Sequence, residues 1–474
     1  MADWETRRNI EVPFLLETDD GERLLCEAVL RVLPGRRVVC RARHGERTLL
    51  VKLFLGAESR KEADADARGS LALEAAGVRT PPLRGRWGIA GKNHSLLAYN
   101  YLGKAVTLKR YWPRADDGQK LSLLEQLVGM MARMHQAGLV PADFHLDNFL
   151  VDAEGRLYAI DGGDYVSGSR PLGRRHTVRS LGALFGHFPH SVLLNHPELL
   201  ARYQEERGWQ QAALFPRVLA SADRYRRRLS RRIARKASRN CSEFMLRRYQ
   251  SFHIVQRRDL NAELIDAWIN GGGLSPAPGD RMLKEGNSQT VWQTQLGGRT
   301  IVVKRYNLKN AWHRLRRALV ATRGSRSWYN AHALRPYHIQ TPLPLALVEE
   351  RRGWLRGRAW YLAEKAVGER ADRFITADTA EATVARLARV VFEFGENGLV
   401  HSDMKASNFM IDDHSVEVID LDGVHRPRLR RTRARKITKD RRRFLLNWKD
   451  PLLCKRFERY LSHWESGRAG PLLK

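Results

Sequence analysis

An aspartate followed five residues later by an asparagine occurs in two look-alike stretches, PADFHLDNFLV at 141–151 and HSDMKASNFMI at 401–411. Each is followed by an apolar run ending in a second aspartate, YAIDGGD at 158–164 and VEVIDLDG at 416–423. Far upstream of each stands an apolar run interrupted by one lysine, RTLLVKLF at 47–54 and RTIVVKRY at 299–306. Residues of these types in this order suit phosphoryl transfer, which needs nucleotide phosphates held, Mg²⁺ bridged between them, and an acceptor hydroxyl aligned beside a base. Lys52 or Lys304 would set a point charge against the phosphates of ATP. Asp143 or Asp403 would take the acceptor's proton. Asn148 with Asp161, or Asn408 with Asp420, would offer the hard oxygen ligands that Mg²⁺ prefers. Lys405 is placed to approach the transferred phosphoryl group. Each element alone is a weak signal, because a lone strand lysine commonly snorkels at an edge and a lone DxxxxN is commonly surface loop. The ordered set, found twice, is not.

The elements that must position these side chains repeat as well. Both lysine runs read as strands from their β-branched and leucine-rich composition, and each follows a strand and turn. Those turns, around Gly35 in RVLPGRRVVC and Gly286 in LKEGNSQTVW, could cover a nucleotide with backbone N–H groups or be plain hairpins. VRTPPL at 78–83 and IQTPLPL at 339–345 form a further pair of landmarks. Asp143 and Asp403 lie 62 and 61 residues after Pro81 and Pro342, and 18 and 17 residues before Asp161 and Asp420. The lysine-to-proline interval alone differs, 29 against 38, the longer copy holding a basic insertion at 307–324. Strands come first in each half and helical patterns follow. The expected architecture is therefore α+β: two tandem protein-kinase-like domains, 1–245 and 246–474, each a small β-rich lobe with a larger helical lobe. The first copy is the diverged one, with Pro141 and His145 where the second has His401 and Lys405.

Composition narrows the partners. At 43% hydrophobic residues the chain suits globular cores, and its formal net charge of +31 suits an anionic partner. The four cysteines are scattered, which argues against both a disulfide framework and a zinc site. No apolar run approaches a membrane span, and the first residues do not read as a signal peptide, so a cytoplasmic location is expected, with contact to a membrane at its surface only. Segment 224–240 is strongly cationic, and Tyr225, Leu229 and Ile233 recur in it every four residues as a narrow apolar stripe, which would either help the cationic helix dock on an acidic membrane surface or pack inward against the helical lobe.

The second half resembles the bacterial lipopolysaccharide kinases, the WaaP and InaA-like group, through IVVKRYN, IQTPLPLALVEER, GLVHSDMKASNFMI, VEVIDLDGV and the basic segment at 428–448. The first half resembles a diverged member. The resemblance implies ATP and Mg²⁺, a location at the cytoplasmic face of the inner membrane, and a heptose or Kdo hydroxyl on lipid-linked core as acceptor. Two other enzymatic or non-enzymatic readings share part of the pattern: a small-molecule kinase of the aminoglycoside or fructosamine type, and a pseudokinase scaffold for core assembly. Nucleic acid is not expected as a partner, since no recognition module accompanies the charge. In one respect the second half departs from protein kinases: register puts Asp66 where a helix carboxylate would meet the strand lysine in the first half, but Ser327 in the second.

Overall fold

The computed structural model describes residues 10–168, 170–209, 213–307 and 319–465. With 41% helix and 28% strand the chain is mixed α+β. It divides into two compact units, Met1–Leu184 with Pro197–Ser221, and Phe185–His196 with Ala222–Lys474. The helix Leu214–Lys236, read from sequence as part of the first half, therefore contributes to both units.

In the first unit, apolar alternation builds a six-stranded antiparallel sheet in the order Phe14–Glu17, Arg23–Leu33, Arg37–His44, Arg47–Phe54, Lys92–Asn100, Leu83–Ile89. One face buries Leu24, Val38, Cys40, Leu49, Val51 and Leu53 together. The other face receives the helix Ser59–Ala75, whose Ala63 and Ala67 pack on Phe54, Leu97 and Tyr99. Small residues on this helix face let its backbone lie close to the sheet, which brings Asp66 within reach of the lysine strand. Beyond the sheet, the helix Asp117–Gln136 starts at a reciprocal cap between Asp116 and Gln119, so two otherwise orphan N–H groups are satisfied.

The second unit has seven antiparallel strands in the order Phe244–Tyr249, Phe252–Arg257, Pro344–Arg352, Leu355–Glu364, Arg299–Tyr306, Gln289–Leu296, Arg281–Lys284. The stretch SFHIVQRRDLNAELIDAWIN near its start forms the strand Phe252–Arg257 and the helix Ala262–Asn270, the helix capped by Asn261. The helix Arg323–Ala333 begins where the Thr322 hydroxyl accepts from the Ser325 N–H at 2.9 Å. Helices Glu381–Glu396, Arg430–Leu445 and Pro451–Glu465 enclose a second core of Val384, Leu387, Phe394, Phe409, Phe444 and Phe457. Of the basic insertion at 307–324, residues 308–318 lie outside the described residues. Its last two residues, Arg323 and Gly324, open the helix Arg323–Ala333. Among the described residues no helix is long and apolar enough to cross a membrane.

The segment 224–240 departs from the expected stripe. Tyr225, Leu229 and Ile233 are half-buried, whereas Ala222, Arg226, Ser230 and Ala234 face inward. Arg226, only 1% exposed, donates to the carbonyls of Phe185 and Phe188. Phe185 is the last residue of the helix Arg174–Phe185, where C=O groups carry partial negative charge, and Phe188 lies three residues beyond it. These carbonyls, with the Asp223 carboxylate 3.4 Å from the guanidinium, allow Arg226 to be buried there, and the apolar residues one position earlier are turned aside.

Candidate functional site

In the second unit a short chain of bonds links every residue singled out by the motif. Lys304 projects from the middle of its strand, where strand neighbours on both sides fix its position, and its ammonium pairs with Asp420. Asp420, two residues beyond the apolar strand Val416–Val418, lies in the left-handed region at φ 61°, a conformation aspartate tolerates better than most residues and one that turns its carboxylate out of the strand direction. Burial works to raise the Asp420 pKa, but the adjacent Lys304 charge and hydrogen bond prevail and hold it below the usual carboxylate range. The residue before it, Ile419, donates its N–H to the Asn408 carbonyl at 2.9 Å. Asn408 in turn donates its side-chain amide to the Asp403 backbone carbonyl at 2.7 Å. That commits the amide nitrogen to the loop, so the oxygen is the atom that could serve as a ligand. Asp403 itself stands beside two cations, Arg443 at 2.7 Å and Lys405 at 3.5 Å.

The loop is held from below by residues that the motif does not contain. Asp440, buried in the helix Arg430–Leu445, accepts the backbone N–H groups of His401 at 2.7 Å and Ser402 at 3.1 Å. Ser402 has φ 74°, which costs a non-glycine residue about 1–2 kcal/mol. The buried His401 ring donates from Nε2 to the Ile419 carbonyl at 3.1 Å. Burial lowers its pKa, so the ring is neutral and acts as a pin between loop and strand. Asp440 and Arg443 escaped the motif reading. Asp440 did leave a signal, being the one acidic residue in RRTRARKITKDRRRFL.

Ser327 is the counterpart of Asp66 in register, and the structure gives it a different partner. Its hydroxyl lies 2.7 Å from the Tyr306 hydroxyl, and among the described residues the carboxylate partner of Lys304 is Asp420 alone. The helix Arg323–Ala333 is tied to the Asp420 turn by other means: Arg323 pairs with Asp422, and the buried Asn330 amide donates to the carbonyls of Leu421 at 2.7 Å and Val424 at 2.9 Å.

The first unit assembles its own set differently. Lys52 is 4% exposed and meets Asp66 at 2.9 and 3.0 Å and Asp161 at 2.7 Å. Tyr99 donates its hydroxyl to Asp66 at 2.6 Å. Burial opposes charge on both Lys52 and Asp161, yet their attraction dominates: Lys52 is raised and Asp161 lowered. This clamp requires the helix backbone to touch the turn after Asp161. A Cβ on Gly69 would lie 1.9 Å from the Gly162 carbonyl oxygen, and one on Gly162 would lie 2.2 Å from the Asp66 carbonyl oxygen. Asp161 has φ 61°, as Asp420 does. Ile160 donates to the Asn148 carbonyl at 2.9 Å, matching Ile419 and Asn408. Likewise Ala159 donates to Arg79 and Val418 to Gln340, both at 2.8 Å, so the two TP landmarks play one role. The loops differ. Pro141 has no N–H for a carboxylate to accept and instead sits in a strand paired with Tyr165. Asn148 reaches Asp164 at 3.3 Å, and Asp143 and His145 lie exposed on the loop. Gly35, at φ 67°, and Gly286 occupy the turns of hairpins beside the lysine strands; the Gly286 carbonyl accepts from Asn307 at 3.1 Å.

The donor chemistry fits Mg²⁺ in both units: one carboxylate held as an anion and one amide oxygen, with the remaining hard ligands left to phosphate and water. No curated protein matches the chain. The sequence profile of the lipopolysaccharide kinase (Kdo/WaaP) family matches residues 278–453, a stretch that contains Lys304, Asp403, Lys405, Asn408, Asp420, Asp440 and Arg443. What the match shows is that the stretch 278–453 is similar to the lipopolysaccharide kinase (Kdo/WaaP) family.

Proposed function

We propose that the second half is an ATP-dependent kinase that phosphorylates a heptose or Kdo hydroxyl of the lipopolysaccharide inner core. The observation that carries this reading is the bonded series Lys304, Asp420, Asn408, Asp403 inside the family-matched stretch. Asp403 accepts the proton of the acceptor hydroxyl as its oxygen bonds to the γ-phosphorus and the bond to the ADP oxygen breaks. Lys304 orients the nucleotide phosphates. Lys405 and Arg443 flank Asp403, where they offset the charge on the transferring group. Asn408 and Asp420 would hold Mg²⁺, which supplies charge neutralisation between the phosphates.

The matching φ of Asp161 and Asp420 and the paired backbone bonds at Asn148 and Asn408 support a tandem of protein-kinase-like domains, with boundaries near 1–245 and 246–474. In the first, Lys52, Asn148 and Asp161 bind Mg-ATP, and Asp143 is the counterpart of the base. Docking at the acidic cytoplasmic face of the inner membrane is supported by the helix Arg430–Leu445. Arg431, Arg435, Lys439 and Arg442 are exposed along it, and Leu429 and Leu446 stand 71% and 74% exposed at its ends.

The test is ATP turnover with purified core oligosaccharide as acceptor. Asp403→Asn should lower the rate by ~10² to 10⁴ without loss of fold. Wild-type turnover in that variant, or no phosphate gained by the acceptor with the wild type, would refute the assignment.

A further inference from the structure

Wholly within the second unit, a cavity of about 690 Å³ is lined by one side of the helix Arg323–Ala333, by the strands Phe252–Arg257, Pro344–Arg352 and Leu355–Glu364, and by part of the helix Leu214–Lys236. Six arginines reach it: Arg227, Arg231, Arg326, Arg351, Arg356 and Arg426. Glu349 is the one carboxylate among its described lining residues. That charge is already committed. Glu349 pairs with Arg351 at 2.9 Å and lies 3.9 Å from Arg356, and it accepts the hydroxyls of Thr322 and Ser325. Arg227, Arg231, Arg326 and Arg426 have no carboxylate within ion-pair distance among the described residues. Burial, and after it the charges of Arg227 and Arg433, pull the Arg426 pKa down. Like charges gathered over a partly desolvated space are unfavourable unless an anion joins them.

The hairpin that supplies Arg351 and Arg356 shows where that anion comes from. These two residues pair across the strands, Arg352 pairs with Leu355, and the turn closes at Gly353 with φ 59°. At its tip Trp354 is 91% exposed and Leu355 is also exposed. An exposed indole at the tip of a hairpin whose strands carry Arg351 and Arg356 suits an interfacial anchor, which seats an aromatic ring at headgroup level. We infer that this cavity receives the phosphate of an anionic lipid headgroup while the Trp354 tip enters the interfacial layer. The inference rests on the membrane-docking reading above and names a site for it. Asn330 and His425, which line the cavity, are bonded to the turn carrying Asp420 and to the Ser402 hydroxyl, so the headgroup site adjoins the phosphoryl-transfer site.

The test is co-sedimentation of the full chain with phosphatidylcholine vesicles, with and without phosphatidate. The cavity variant combines Arg231→Gln, Arg326→Gln and Arg426→Gln. A control of equal charge combines Arg47→Gln, Arg60→Gln and Arg68→Gln, three exposed residues of the first unit. Wild type should partition to phosphatidate vesicles, and the cavity variant should bind at least about tenfold more weakly than the control, at roughly fivefold per basic residue. Trp354→Ala should also weaken binding although no charge changes, and this surface substitution keeps the proposal testable if the cavity variant does not fold. Equal binding by cavity and control variants, or full binding by Trp354→Ala, would overturn the headgroup site while leaving docking intact. Absence of wild-type binding would overturn docking itself. Pyrophosphate binding that depends on the cavity arginines, without vesicle binding, would assign the cavity to a soluble anion and overturn the lipid.

Discussion

Replacing Asp440 tests whether a residue outside the motif sets the conformation of the loop that carries Asp403. Its carboxylate is 5% exposed and accepts two backbone N–H groups, those of His401 and Ser402. In Asp440→Ala both donors lose their acceptor, and the Ser402 backbone at φ 74° loses the bonds that offset its strain. Hydrogen bonds to a charged group contribute about 1.5–3 kcal/mol each, and an unsatisfied buried donor costs about 1–3 kcal/mol. With partial access of water near Ser402, which is exposed, a total of about 2–4 kcal/mol is expected. Asp440→Asn keeps one oxygen at the same place without the charge, so about half that loss should remain. Two units need not unfold together, so a single global midpoint would mix them. Urea unfolding followed by hydrogen exchange of peptides from 381–445 isolates the second. At a urea slope of about 3 kcal/mol/M, Asp440→Ala should lower the midpoint of those peptides by roughly 1 M, with peptides from the first unit unmoved. Turnover should fall with it, because Asp403 is one residue beyond the freed segment. An Asp440→Ala protein with a wild-type midpoint and rate would refute the brace. Equal damage from Asn and Ala would show that charge, rather than acceptor placement, is what the loop requires.

The two lysine sites should respond unequally to loss of their helix contact. Lys52→Met takes the shared cation from Asp66, which keeps only Arg37 at 3.8 Å, and from the half-buried Asp161, and should destabilise the first unit by about 3 kcal/mol, whereas Ser327→Ala removes one hydroxyl bond and should cost about 1 kcal/mol; equal losses in urea melts would contradict the geometry. The pH dependence of the first unit follows from the same clamp. Asp161 is lowered in the fold, so its contribution is complete above its unfolded value of about 3.9 and disappears as pH falls through the lower folded value. Lys52 is raised, so its contribution is complete below about 10.4 and disappears as pH rises through the higher folded value. Hydrogen exchange of peptides from 47–100 should therefore show an acid transition below about pH 4 that Asp161→Asn lacks. Arg443→Gln breaks a pair whose side chains are 41% and 38% exposed, so stability should change by less than ~1 kcal/mol while turnover drops by about 10². A stability loss without a rate loss would make Arg443 a packing residue only.

Much of the site was legible in the sequence because its parts are local. The lysine runs are strands of the same span as their apolar patterns, Arg47–Phe54 and Arg299–Tyr306, and short loops fix the relation of Asp403 to Asn408. The TP landmarks were legible as a repeat, but their role was not: Arg79 and Gln340 accept from Ala159 and Val418, the last residues of the strands before Asp161 and Asp420. What the sequence left undetermined depends on packing between distant segments. Asp440 meets a loop 38–39 residues away, and Asn330 meets a turn more than 90 residues away. Nothing in a local pattern specifies such partners. The missing carboxylate at Ser327 could be read off, but only the tertiary structure supplied the Arg323–Asp422 pair and the Asn330 bonds that fasten the helix instead. The stripe at 224–240 had the right four-residue period and the wrong phase. Periodicity counts apolar side chains, and it cannot foresee that the carbonyls of Phe185 and Phe188 would make Arg226 the residue to bury. The sequence by itself determined which side chains are proposed to carry the chemistry and the order in which strands and loops present them. The tertiary structure decided which long-range hydrogen bonds and ion pairs hold those side chains in place, because burial makes each such partner obligatory and chain separation keeps it out of any local pattern.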